Sequence, residues 1–85
     1  MIKLYSMDNC PYCTKLKEYL NKDNIKYIDI NINLPENEAE YNKLTEITKS
    51  DSVPVVKVGS QLLVPNVSFH SIEECFGIVK KLMKG

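Results

Sequence analysis

The chain has 85 residues, with eleven basic and eleven acidic side chains and no net charge at neutral pH. That length predicts one domain, 1–85, with a modest core. The balanced charge gives no general attraction to nucleic acid or to an anionic membrane, and no apolar run approaches the ~18 residues of a membrane span. The N-terminus has no basic-then-apolar leader, so the expected location is cytoplasmic. Structural disulfides are rare in that compartment, and a close cysteine pair there points to redox or metal chemistry. Three cysteines, an odd number, also argue against a disulfide framework.

Ile2-Lys3-Leu4-Tyr5 reads as a short strand, followed by a polar loop from Ser6 to Asn9. Pro11 suits the first turn of a helix, where its missing N–H costs nothing. Tyr12, Leu16, Tyr19 and Leu20 then fall at helical spacing, until Asp23-Asn24 ends the helix. Ile25 to Ile32 alternates apolar and polar and predicts a second strand. Pro35-Glu36 opens a second helix, with acidic residues first and Lys43 and Lys49 toward its end, a charge order that suits the helix dipole.

Ser50 to Ser52 is a loop, and Val53 to Val58 predicts a strand that begins with a proline. Gly59-Ser60 is a turn signal, and Gln61 to Val64 is the paired strand of a hairpin. After a loop from Pro65 to His70, Ser71 and Glu74 have capping-box spacing. The last helix carries Ile72, Cys75, Phe76, Val79 and Leu82 on one stripe. The order is β-α-β-α-β-β-α. Its βαβ unit requires a parallel pair and its hairpin an antiparallel one, so the sheet is mixed, with about four strands and helices on both faces.

Cys10-Pro11-Tyr12-Cys13 lies where the first strand and loop give way to a helix. The first N–H groups of a helix point toward such a sulfur, and the dipole adds partial positive charge. Both favour thiolate over thiol. Cys13, one turn on, is close enough to attack a mixed disulfide formed at Cys10, which is the minimum machinery of thiol–disulfide exchange. The competing reading is a zinc site made of Cys10, Cys13, His70 and Cys75. The intervening proline and tyrosine fit a redox turn better, and Cys75 falls on an apolar stripe where a free cysteine acts as a small hydrophobe.

With this element order, Cys10-Pro11-Tyr12-Cys13 resembles the active site of dithiol glutaredoxins, in the thioredoxin superfamily. Ser52-Val53-Pro54 resembles that family's Thr-Val-Pro, whose proline is cis and faces the cysteines. The resemblance implies a thioredoxin-like α/β fold, a four-stranded mixed sheet flanked by three helices. It implies that Cys10 and Cys13 are catalytic and that glutathione is the reducing co-substrate, bound by Tyr12, Val53 and Pro54. Pro11 and Lys15 take supporting roles, Lys15 by raising the positive potential near the thiolate. No metal is expected, nor an iron–sulfur cluster shared through Cys10. Disulfide-containing proteins, with ribonucleotide reductase among them, are the implied partners of a monomer.

The chain departs from the family pattern at two places. Met7 stands where glutaredoxins usually carry a lysine for a glutathione carboxylate. The stretch from Val64 to Ser71 lacks their paired glycines and resembles that of redoxins that take electrons from thioredoxin reductase. Lys43 and Lys49 are candidate replacement contacts for the carboxylate. Asp8 and Asn9 are candidate substrate contacts, although an acid at Asp8 also opposes the Cys10 thiolate. His70 is a candidate proton donor to the leaving thiolate.

Overall fold

The computed structural model describes residues 1–84. Strand β1 (Ile2–Ser6) leads to helix α1 (Pro11–Lys22), then β2 (Ile28–Asn31) and a 3-10 turn (Pro35–Asn37) that runs into α2 (Glu38–Thr48). Strands β3 (Val55–Val58) and β4 (Gln61–Leu63) form the hairpin, and α3 (Ile72–Lys84) follows. The sheet order is β2-β1-β3-β4. β1 runs parallel to β2, with Lys3 opposite Ile28 and Ser6 opposite Asn31. It runs antiparallel to β3, with Tyr5 opposite Val55, and β3 and β4 are also antiparallel.

Alternation along each strand sorts side chains between two cores. Ile2, Leu4, Val56 and Leu63 meet Leu16 and Leu20 of α1 and Ile72, Cys75 and Val79 of α3. Tyr5, Ile30, Val55 and Val64 meet Leu44 and Tyr41 of α2 on the opposite face. The expected mixed sheet with helices on both faces is therefore present.

The second strand is shorter than the alternation from Ile25 predicts. Asn24 takes a left-handed φ of 57°. Its N–H donates to the Asn21 carbonyl at 3.1 Å, and the Ile25 N–H donates to the Leu20 carbonyl at 2.9 Å. This is a Schellman closure of α1, and its hydrophobic residue is Ile25, which packs on the α1/α3 core. The apolar residue that looked like strand thus belongs to a helix stop. The second helix likewise begins later than Pro35, because Pro35–Asn37 forms the tighter 3-10 turn first. Lys49 lies beyond α2, as a left-handed cap with φ 56°.

Ser71 caps α3 as its spacing predicts, its Oγ accepting from the Glu74 N–H at 3.1 Å. The return bond is displaced by one residue: Glu74 Oε1 accepts from the His70 N–H at 2.6 Å, not from Ser71. The loop between β4 and α3 folds back on itself. Ser68 Oγ accepts from the Val64 N–H at 3.0 Å, the Asn66 N–H donates to the Phe69 carbonyl at 2.8 Å, and Phe69 is buried in the α1/α3 core.

Leu16→Ala is expected to lower stability by about 2–5 kcal/mol, since Leu16 is fully buried between α1 and the sheet. Ser71→Ala is expected to lower it by about 1 kcal/mol. Urea unfolding of both variants measures these losses. Burial also pushes the Cys75 thiol from 9.0 up to about 12. The unfolded chain ionises this thiol near its ordinary value, so its contribution to stability is intact below pH 9.0 and is lost as pH rises toward 12. The urea midpoint is expected to fall more steeply above pH 9.0 in the wild type than in Cys75→Val; parallel slopes would contradict this.

Candidate active site

β1 is flanked by both neighbours, and the chain leaves its end to reach Cys10, the N-cap of α1. Cys10 has extended backbone, with φ −108° and ψ 102°, and Pro11 takes the first helical turn. The Cys13 N–H donates to Cys10 Sγ at 3.2 Å. This is the helix-start contact that favours a thiolate when the sulfur is free. Cys10 and Cys13 are joined as a disulfide, with their Cα atoms 5.3 Å apart. The two cysteines are unequally buried: Cys13 is 1% exposed, whereas Cys10 is only partly covered.

The Val53–Pro54 peptide is cis, as the resemblance implies, and Pro54 is buried. Val53 lies outside β3, and its N–H and carbonyl have no hydrogen-bond partner among the described residues. A cavity of about 340 Å³ opens here, lined by Tyr12 of α1, by Val53 and Pro54, and by Pro65, Asn66 and His70 of the folded-back loop. Tyr12 is 66% exposed at its edge. The cavity therefore brings together Tyr12, Val53 and Pro54; Cys10 and Cys13 are not part of its lining, and among the described residues no Lys, Arg, Asp or Glu lines it.

Lys15 is not a free positive charge beside Cys10. Its Nζ bonds Glu73 Oε2 of α3 at 2.6 Å, and the same oxygen accepts from the Tyr19 hydroxyl at 2.9 Å. The Lys15 hydrogen bond, ahead of the Glu73 backbone and Tyr19 bonds, holds the Glu73 carboxyl down at about 2. Glu73 in turn raises Lys15. Lys15 thus ties α1 to α3, a pairing that sequence spacing gives no signal for.

Lys43 sits against the other face of the sheet, in a hollow shared with Tyr5 and Glu40. It does not line the cavity at Tyr12 and Pro54, and neither does Lys49. The Asp8 carboxylate accepts from Asn31 Nδ2 at 2.9 Å. His70 lines the cavity, its backbone N–H bonded to Glu74. Asn66, with φ 64°, also lines it, and a sequence signal for that role is absent.

Cys75 is fully buried in the α1/α3 core, as expected. Cys10, Cys13, His70 and Cys75 are not assembled as ligands. Among the described residues no group of three His, Cys, Asp or Glu side chains is placed to hold a metal ion.

A sequence model of the glutaredoxin family matches residues 2–63. An uncharacterized glutaredoxin-like 8.6 kDa protein in the rubredoxin operon of Clostridium pasteurianum is 36% identical over 64 residues, covering 75% of this chain and 83% of that protein. Oxidized glutaredoxin 2 from Chlamydomonas reinhardtii is 28% identical, with a TM-score of 0.70 and coverage of 98% of this chain and 78% of the other. The thioredoxin-like protein BC3987 is 26% identical, with a TM-score of 0.70 and coverage of 96% and 99%. These matches agree with the thioredoxin-like fold and with the close Cys10–Cys13 pair, and the chain belongs to the glutaredoxin family.

Proposed function

We propose that this protein is a thiol–disulfide oxidoreductase in which Cys10 attacks and Cys13 resolves. The observation that carries this reading is the unequal pair: Cys10 is the less buried cysteine, at a helix start with its sulfur accepting an N–H, and it is bonded to a buried Cys13. In the reduced protein the Cys10 thiolate attacks a substrate disulfide. A Cys10–substrate disulfide forms, the substrate S–S bond breaks, and the departing sulfur leaves as a thiolate. Cys13, losing its proton, attacks Cys10 Sγ and releases the second substrate sulfur. The Cys10–Cys13 disulfide then holds the oxidising equivalent, and the substrate has gained two electrons.

Substrate is held in the cavity that Tyr12, the residue before Cys13, helps to line. The unpartnered Val53 N–H and carbonyl offer a strand-like pairing to an extended thiol-bearing segment, Pro54 packs beneath it, and Tyr12 covers it from α1. Pro11 fixes the start of the helix that bears both sulfurs. Glutathione is the proposed reductant that reopens the Cys10–Cys13 disulfide, in keeping with the family. Disulfide-bearing proteins, ribonucleotide reductase among them, are the proposed electron acceptors of a cytoplasmic monomer.

One observation favours a second reading of the reductant. Glutathione carries a pair of carboxylates, and the cavity lining contains no Lys or Arg to receive them. Met7, in the place of the family's lysine, is exposed and uncharged. A flavoenzyme of the thioredoxin reductase type needs no such anion contact.

Cys10→Ser is expected to abolish all exchange; retained turnover would remove Cys10 as nucleophile. Cys13→Ser is expected to keep reduction of glutathione mixed disulfides and to lose reduction of protein disulfides. NADPH consumption distinguishes the reductants. Turnover with glutathione and glutathione reductase supports the first reading. Turnover with thioredoxin reductase alone supports the second and removes glutathione binding from Tyr12, Val53 and Pro54.

A further inference from the structure

Three hydrogen bonds close a ring in front of the active-site helix. The Asp8 N–H donates to Asn33 Oδ1 at 2.6 Å, the Asn33 N–H donates to Asn31 Oδ1 at 2.9 Å, and Asn31 Nδ2 donates to Asp8 Oδ1 at 2.9 Å. The ring is anchored from behind. Asn37 Nδ2 donates to the Asn31 carbonyl at 2.9 Å, and the Ile32 N–H donates to the Ser6 carbonyl at 2.8 Å. The connection from β2 to α2 is thereby fastened to the loop that delivers Cys10.

Asp8 precedes Cys10 by two residues, so their Cα atoms are at most ~7 Å apart. A carboxylate at that range opposes ionisation of the thiol, and more strongly the closer it comes. Where its side chain is held therefore matters. In the sheet order, β2 lies on one side of β1, and β3, with the approach through Pro54 and the cavity, lies on the other. The Asn31 bond draws the Asp8 carboxylate toward the β2 side.

We propose that Asn31 is a positioning residue for the Cys10 thiolate: by donating to Asp8 it keeps that carboxylate on the β2 side of β1, away from the sulfur and the substrate cavity. The other titratable or charged groups on the elements around Cys10 have different attachments. Cys13 and Tyr12 belong to α1, Lys15 is paired with Glu73 of α3, and Lys17 is paired at 2.9 Å with Asp29 of β2, which also accepts from the Ser6 hydroxyl at 2.6 Å. His70 lies on the loop before α3, and Asp51, whose carbonyl accepts from the Tyr41 hydroxyl, precedes Pro54. None of these is bonded to Asn31 among the described residues.

The inference rests on Cys10 being the reacting thiol, but its test reads ionisation rather than turnover. Thiolate absorbance of Cys10 is titrated in the reduced Cys13→Ser protein, where Cys75 stays protonated over the working range because burial pushes it up to about 12. Asn31→Leu is expected to raise the Cys10 pKa by about half a pH unit. In an Asp8→Asn chain the same Asn31→Leu change is expected to have no effect. An unshifted Cys10 in Asn31→Leu, or a shift that persists with Asp8→Asn, overturns the proposal. If Asn31→Leu does not fold, Asn31→Ser, too short to reach Asp8, is titrated with the same two outcomes. Failure of the nucleophile assignment would show separately, as exchange retained by Cys10→Ser.

Discussion

The site depends on β1 being an inner strand. It is bonded to β2 on one side and to β3 on the other, so its end cannot shift without disturbing both ladders. The loop to Cys10 leaves from that end, and cis Pro54 immediately precedes Val55, the residue of β3 paired with Tyr5 of β1. Strand register thus fixes where the loop to Cys10 departs and where Pro54 enters the sheet, and short loops complete the site. Leu16 and Leu20 lock α1 onto the same sheet, and the Lys15–Glu73 bond ties it to α3. An N-terminal helix dipole is useful to a sulfur only if the helix is held in place, and these contacts hold it.

The two faces of the sheet divide the labour. α1 and α3 share the core that contains Cys75, and this core lies beneath the disulfide-bearing helix. α2 covers the other face with Leu44 and Tyr41, and there the Tyr5 hydroxyl donates to Glu40 at 2.7 Å. Burial, reinforced by Glu40, raises Tyr5 to about 12, so this phenol stays neutral and remains a donor. Lys43 belongs to that face, which explains why it plays no part in the cavity.

Most of the architecture was legible because its signals are local. Pro11 at a helix start, the Gly59 turn with φ 61° and the Ser71 cap each depend on one or two residues. Ile25 was misplaced because periodicity cannot tell a strand residue from the hydrophobic residue of a Schellman closure. The cysteine pair and Val53-Pro54 were legible as motifs. The company they keep was not. Glu73 answers Lys15, and Asn31 answers Asp8, across long stretches of chain that only the tertiary structure closes. Sequence spacing reports what a residue is near along one element and is silent on what the neighbouring element brings.

The loop from Pro65 to His70 lies beyond the region matched by the family model, yet it supplies one wall of the cavity. It is held by its own bonds through Ser68 and Asn66 and by a buried anchor, Phe69. Fixing a flexible backbone costs roughly 1–2 kcal/mol per residue, and in this fold the wall is ordered during folding instead of at the moment of encounter. A molecule entering the cavity meets a surface already in shape, so little of its contact energy is lost to ordering the host. For the binding role proposed above, such a wall would favour selection by fit over recruitment of the loop.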